Sequence, residues 1–524
     1  MKKSVGSLVA LIAVSTLACG GASDAPAPLQ GPDGGVATMP SGTQNPSSPD
    51  GGPVLPGQDP RPPSSADGGG PPPVPPPPPT KPNEITEQFG VFVSTEGQAN
   101  ASGTRAAPLA SIEAAIARAK NENKKKVFVC EGSYAEALTL ADGVSIEGRL
   151  DCATPDWKLD TSKHVNLASP SSPAIRATNI TSATRIDGFQ VTAPDATEPS
   201  GSSIAVIAVD SNGLTFAGGS LAAGSAMRGA DGTDGMQLKM WIAVGAGRGD
   251  EWATAPAVAF EQRQGGSGQV AACLRPDDSV FAQMVGASGD GSGFFTRASR
   301  NDPWATLNAR SRGAAPVPSG ATTQGVDGTS ALAGILGAEG YTPGDGADGT
   351  AGSVGRSGKG GAPDELPPPN VIEYGKTYGR SGAGGGAGGC PGLPGTAGKG
   401  GGASIALLAI RSPVRLDKVD VSTASGGAGG RGTFGSQPAP GTAGGYDGAA
   451  MMYSSPGEGG GRSGVSGNGA GGPSLAIAYQ GGAPVLTQAN TTVGAGGAGI
   501  EARSQNGKTI PASPAGVSLA TQAF

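Results

Sequence analysis

Ser203-Ile204-Ala205-Val206-Ile207-Ala208-Val209, Ser404-Ile405-Ala406-Leu407-Leu408-Ala409-Ile410 and Ser474-Leu475-Ala476-Ile477-Ala478-Tyr479 are three copies of one pattern. The first is followed by Leu214-Thr215-Phe216 and a glycine-rich stretch from Ala223. The second is followed by Val414-Arg415-Leu416, Val419-Asp420-Val421 and Gly426-Gly427-Ala428-Gly429-Gly430. Val485-Leu486 and Gly494-Ala495-Gly496-Gly497 follow the third. Each unit is therefore a serine, a short apolar strand, a turn, further short strands and a glycine loop. A unit of roughly twenty-odd residues built from short strands cannot bury its own apolar face, so it must stack on copies of itself. The pattern predicts an all-β chain wound as a β-solenoid with long glycine-rich loops.

Working back from these copies, the same grammar runs with less glycine through Val127-Phe128-Val129, Leu138-Thr139-Leu140, Val144-Ser145-Ile146 and Ile186-Asp187-Gly188-Phe189-Gln190-Val191. Gly132, Gly143, Gly148 and Gly188 fall at the expected turns. Ahead of them, Pro108 to Ala119 places Leu109, Ile112, Ile116 and Ala119 on one helical face. A helix there is expected to cap the first coil and hide its strand edges.

Phe92-Val93-Ser94, the Ala110 to Ala119 helix, Val127-Phe128-Val129-Cys130-Glu131-Gly132-Ser133-Tyr134 and Val144-Ser145-Ile146-Glu147-Gly148 together resemble the start of right-handed parallel β-helix proteins of the pectin-lyase type. More narrowly, they resemble an uncharacterised β-helix domain of bacterial surface lipoproteins whose glycine-rich tails carry the label PGRS family. The resemblance covers roughly Phe89 to Thr192 well and the later coils loosely. It implies a fold and no established activity.

Two stretches depart from the repeat. Residues 237–314, with Trp241-Ile242-Ala243-Val244 and Cys273, are more varied in composition, as in an inserted subdomain or irregular loops. Gly346, Gly349, Gly352, Gly355, Gly358 and Gly361 fall every third residue, as do Gly389, Gly392, Gly395 and Gly398. So few triplets with so little proline would not sustain a collagen triple helix, which favours extended glycine loops packed beside the solenoid.

At the N-terminus, Lys2 and Lys3 precede the uncharged run Val5 to Thr16, and Leu17-Ala18-Cys19-Gly20 follows. That is the order of a secretory signal, and Leu17-Ala18-Cys19 resembles a bacterial lipobox, in which cleavage precedes a lipidated Cys19. Gly20 is not the Asp type of inner-membrane retention signal, which points to the outer membrane or cell surface. From Ala22 to about Glu84 the chain is Pro, Gly, Ser, Ala and Asp, with Pro71 to Pro79 almost unbroken, and it offers little to a core. Polyproline II rises about 3.1 Å per residue, so this stalk could hold a domain on the order of 100 Å from its anchor. The expected organisation is a signal peptide (1–18), a disordered linker (19–84), first coils with their helix (85–236), the departing stretch (237–314) and a glycine-rich region with further coils (315–524).

Composition narrows function. With 94 glycines, 4% aromatic residues and one histidine, large side chains for a globular core are few. A net charge of -6 and the lack of a basic stripe argue against nucleic acid. Beyond Cys19, four cysteines remain, and an even count in an exported chain suggests two bridges. Cys130 and Cys152 lie about one coil apart in sequence, so they are expected to pair across stacked coils, with Cys273 and Cys390 left to pair by elimination.

Catalytic and metal motifs are weak. Glycoside hydrolysis needs paired carboxylates at fixed separation. Asp277-Asp278 are adjacent, so on a strand they would face opposite ways, and Arg275-Pro276 marks a turn. His164 stands alone, without a Cys-x-x-Cys pair for zinc and without the polygalacturonase Gly-His-Gly setting. Gly384 to Gly389 matches a dinucleotide pattern without the flanking strand and helix. Gly344 to Asp348 and Gly229 to Asp234 look like single calcium β-roll units, which need several stacked copies. Arg248-Gly249-Asp250 is a chance-level tripeptide. No catalytic residue, cofactor or metal is expected. The leading expectation is a monomeric, envelope-anchored structural or adhesive protein that touches glycans, matrix or envelope proteins. A polysaccharide-active enzyme and a largely disordered glycine-rich coat protein are the alternatives, and a carboxylate cluster on adjacent coils would promote the former.

Overall fold

The computed structural model describes residues 85–153, 155–247, 266–289, 321–361, 382–447 and 454–524, with short strands at 253–254, 294–297, 305–306, 375–378 and 452–453. Cys19, the linker and Arg248-Gly249-Asp250 lie outside the described residues. The described chain is nearly all β, with parallel strands in a nearly closed sheet.

The stacked strands come in three rows. β1 (Gly90–Gln98) opens the first row and is followed by helix α1 (Ile112–Asn121). Next come β2 (Lys126–Cys130), β3 (Gly132–Tyr134) and β4 (Leu138–Thr139), then β5 (Ser145–Asp151), with β6 (Lys158–Leu159) antiparallel to its end, β7 (Val165–Ala168) and β8 (Ile175–Thr178). β9 (Thr184–Asp187), β10 (Phe189–Thr192), β11 (Ser203–Val209) and the long β12 (Leu214–Ala223) continue the winding. After a long excursion it resumes with β13 (Ser404–Ile410), β14 (Arg415–Thr423), β15 (Ser474–Gln480), β16 (Val485–Thr487), β17 (Asn490–Thr492) and β18 (Ser518–Ala523).

The first row runs β1-β2-β5-β9, then the leading halves of β12 and β14, then β16. The second runs β3-β7-β10, the trailing halves of β12 and β14, then β17. The third runs β4-β8-β11-β13-β15-β18. All of these pairings are parallel, so like side chains stack. Val91, Val127, Ile146, Ile186, Phe216, Leu416 and Leu486 form one inward column by register. The three Ser-led copies are β11, β13 and β15. Both faces of β11 and β13 are buried: Ala205, Val206 and Ala208 face the main core, while Ile204, Ile207, Ile405, Leu408 and Leu475 form a second one. This explains their unbroken apolar runs.

The corners stack too. Gly188, Gly218, Lys418 and Gln488, at φ of 72°, 51°, 55° and 50°, turn the chain from the first row to the second. Asn179, Asp210, Arg411 and Gly481 do the same after the third row. Gly143 is a positive-φ turn as expected, whereas Gly148 lies inside β5, where a register shift opposite Phe128 to Cys130 marks a bulge.

Helix α1 packs Ile112, Ala115, Ile116 and Ala119 into the first coil. Leu109 is buried but precedes the helix, bridging to Val93, so Ala115 takes its expected place on the helical face. Glu136 secures the helix from the next coil, accepting from Ile112 N at 2.8 Å, Glu113 N at 3.1 Å and Ser111 Oγ at 2.6 Å. A carboxylate there fills the open donors of the first turn and complements the helix dipole.

The glycine-rich stretches are not loose loops. They leave one corner, between the second and third rows, and lie side by side as extended segments joined by backbone hydrogen bonds at every third residue. Gly386, Gly389, Gly392, Gly398 and Gly401 donate to Ser455, Glu458, Gly461, Gly467 and Ala470 of a parallel neighbour. Gly346, Gly352, Gly355 and Gly358 donate to Gly398, Gly392, Gly389 and Gly386 from an antiparallel one. Gly427, Gly430, Ser436, Ala439 and Thr442 approach the same segment from another side, donating to Gly402, Lys399, Leu393, Cys390 and Ala387. A hydrogen-bonding period of three presents the same face of each segment to the same neighbour at every repeat, where a backbone N–H finds its acceptor. Glycine is required because a Cβ on Gly398 would collide with the carbonyl of Gly430, and one on Gly464 with that of Val326. The collagen-like period thus serves an intramolecular bundle.

Within the varied stretch, strands 239–244, 270–274 and 280–285 form one separate antiparallel sheet, and strands 253–254, 294–297 and 305–306 form another together with 375–378.

Candidate functional site

On the outer side of the first row, Phe92, Phe128, Glu147, Asp187, Ala217, Asp417 and Thr487 share one column by register. Its upper end is closed. Phe92 packs on Phe128 at 5.1 Å and on Trp157 at 5.0 Å between centroids, beside the buried Leu150. The disulfide Cys130–Cys152, with Cα atoms 5.8 Å apart, ties down the loop that carries Trp157.

Glu147 and Asp187 come next, paired across adjacent strands. Arg185 donates to Asp187 Oδ2 through Nε at 2.9 Å and Nη2 at 2.7 Å, and Arg149 Nε lies 2.8 Å from Oδ1. Arg149 spans the corner, its Nη2 donating to Gly218 O at 3.0 Å. It lies where side chains on Gly188 and Gly218 would stand. Among the described residues, the ion pair of Glu147 is with Lys126, at 3.9 Å. Burial, and then the Asp187 charge, raise the Glu147 carboxyl above the usual glutamate range, with Lys126, Arg185 and Arg149 opposing. A carboxyl held towards its protonated form beside a second carboxyl group is a pairing that acid–base chemistry uses. Here, though, Asp187 is 8% exposed and clamped by two guanidinium groups.

The outer side of the second row differs. Ser133, Asn166, Gln190, Ser220, Asp420 and Asn490 stand in register, one per strand. All are exposed except the half-buried Ser220. Asn166 Nδ2 donates to Ser133 Oγ at 3.2 Å, and Asn490 Nδ2 to Asp420 Oδ1 at 2.9 Å. With strands about 4.8 Å apart, this column is a straight, evenly spaced row of amide, hydroxyl and carboxylate groups.

The residues singled out from sequence are scattered. Asp277 and Asp278 lie in the turn between two antiparallel strands, with Asp278 at φ 61°. The Ser279 hydroxyl, at 2.7 Å, and its N–H hold Asp277 below the usual carboxylate range. His164 is half-buried, and its Nδ1 has no hydrogen-bond partner among the described residues. Asp345 accepts from Gly400 N and Lys399 Nζ, at 2.8 and 3.0 Å, and Asp231 from Arg228 and Arg431 N, both at 2.8 Å. These acids fasten bundle segments together. Gly384 to Gly389 belongs to the bundle as well. Cys273 and Cys390 form a disulfide, with Cα atoms 5.6 Å apart, that joins the antiparallel sheet to a bundle segment.

Sequence reading missed Glu147 and Asp187. A signal was present: Ile146-Glu147-Gly148 and Ile186-Asp187-Gly188 repeat an Ile-acid-Gly step at the same place in two coils.

Compared with protein-family models, curated proteins and solved structures, the chain shows no match.

Proposed function

We propose that this chain is a lipid-anchored protein of the cell envelope whose body is a right-handed parallel β-helix of the pectin-lyase type. In this reading it plays a structural or adhesive role, contacting glycans or matrix through its outer face. The observation that carries the reading is the exposed column Ser133, Asn166, Gln190, Ser220, Asp420 and Asn490. A long straight row of hydrogen-bonding groups suits an extended polymer of hydroxyls better than a small molecule, which calls for a concave pocket. The Lys2-Lys3 start, the apolar run and Leu17-Ala18-Cys19 support the anchor.

The test is a glycan-array screen of the full chain carrying Cys19→Ser, which removes the proposed lipid. Asn166→Ala combined with Gln190→Ala should weaken any hit about tenfold, the loss of two modest hydrogen bonds. Hits that ignore both substitutions would remove the column from the function.

A second reading, a polysaccharide-active enzyme, is favoured by Glu147 beside Asp187 alone. Release of reducing sugar or unsaturated uronate that Glu147→Gln abolishes would decide for it. The coat-protein alternative needs apolar strands that do not stack, and the described strands stack in three rows.

A further inference from the structure

The antiparallel sheet of strands 239–244, 270–274 and 280–285 is packed on one side. Met240, Cys273 and Met284 turn into a small core with Ala387 and Cys390, and the Cys273–Cys390 disulfide fastens the sheet there. Side chains alternate along a strand, so Lys239, Trp241, Ala272 and Gln283 face the other way. That outer side is open: Trp241 is 55% exposed, Val244 50% and Val285 46%. Trp157, by contrast, is 5% exposed.

Register lays a row across the open side, with Trp241 opposite Ala272 and Ala272 opposite Gln283. Alanine in the middle makes the row a shallow saddle, with an indole at one end and an exposed amide at the other, about 10 Å apart across two strand spacings. Val244, Val270 and Val285 form a second, apolar row beside it. The charges at the turn end of the sheet cancel. Lys239 pairs with Asp278 at 3.7 Å, Arg275 lies over the Phe281 ring at 5.2 Å, and Asp277 accepts from the Ser279 hydroxyl.

Size and charge decide what fits this face. Three strands about 4.8 Å apart, with six residues rising about 3.4 Å each, make an area of roughly 300 Å². A stable protein partner covers about 800 Å² on each side. A lipid surface calls for basic residues around the apolar area, and this rim is neutral. A pyranose with equatorial hydroxyls matches on both counts. Its ring C–H groups form an apolar face that lies on an indole, and its hydroxyl edge needs a group that both donates and accepts, as the Gln283 amide does.

We propose that Trp241 and Gln283 form a binding site for neutral saccharides with equatorial hydroxyls, the sugar stacked on the indole and lying across Ala272. The site is apart from the second-row column, and neither needs the other.

The test is isothermal titration of cellohexaose and, separately, chitohexaose into the full chain carrying Cys19→Ser, with Asn166→Ala and Gln190→Ala added to silence the second-row column. Saturable binding of at least one probe is expected. In that background, Trp241→Ala should raise the dissociation constant at least about tenfold, as loss of a central aromatic anchor does. Gln283→Ala should raise it about threefold, the loss of one modest hydrogen bond. Far-UV circular dichroism and an intact Cys273–Cys390 bridge would show that each variant is folded. Absence of saturable binding for both probes overturns the proposal, as does binding that Trp241→Ala leaves intact. So does a chain that instead floats with phosphatidylcholine vesicles until Trp241→Ala releases it, since the face would then belong to a membrane.

Discussion

Glu147 and Asp187 stand in register on adjacent parallel strands, yet their surroundings are unequal: two arginines pair with Asp187, whereas among the described residues the ion pair of Glu147 is with Lys126. Burial, and then the neighbouring Asp187, lift the Glu147 ionisation above its ordinary range. A carboxyl raised in the folded state favours folding only while protonated. Its contribution is therefore full below the unfolded value, about 4.3, and lost as pH climbs through the folded one. Glu147→Gln, which cannot ionise, should melt above the parent at neutral pH, with the gap closing as pH falls below that value. A gap that does not vary with pH would refute this account.

The corner column makes a second prediction. Lys418 and Gln488 hold left-handed backbone where the coils above use Gly188 and Gly218. A side chain in that region costs roughly 1 kcal/mol. Lys418→Gly should therefore stabilise the chain by about 0.5–1 kcal/mol, net of the freedom glycine gains when unfolded. Denaturant titration of Lys418→Gly against the parent is the check, and destabilisation of more than a few tenths would count against it.

A third concerns the cap. Removing the Glu136 carboxylate leaves the α1 first turn short of its acceptor. Glu136→Ala should cost about 1–2 kcal/mol, with amide exchange rising first in α1 and β1.

Within the bundle, glycines differ sharply. A Cβ on Gly398 meets the Gly430 backbone, whereas one on Gly459 has nothing nearer than 3.7 Å. Gly398→Ala is expected to destabilise by about 3 kcal/mol or more, and Gly459→Ala to change stability by less than about 1 kcal/mol. Thermal melts of the pair would separate packing from composition.

Much of the stack was legible because its cause is local. Ser203, Ser404 and Ser474 each open an apolar run, and a strand buried on both faces leaves such a run in any sequence. Other features were only half legible. The triplet glycines declare a period of three, but that period is common to a triple helix and to segments folded against one another. Only the neighbours distinguish them, and Gly398 finds its neighbours at Gly346, Gly430 and Gly467. The outer columns were hidden for a related reason. Asn166, Gln190, Asp420 and Asn490 are brought into line by coils of very unequal length, including the excursion between β12 and β13. No fixed spacing announces them.

The passage from bundle to strand at Gly402-Ala403-Ser404 has a consequence for how the chain tolerates change. Upstream, Gly398 and Gly401 meet Gly467 and Ala470 in a reading frame of three; downstream, Ser404 and Ile405 meet Ser474 and Leu475 in a frame of two. Ala403 is the splice where both frames must agree. One residue gained or lost there turns glycines away from the carbonyls they must clear, or turns the core side of β13 outward. The segment is thus locked in phase at both ends, and length can change freely only where neither frame is being read.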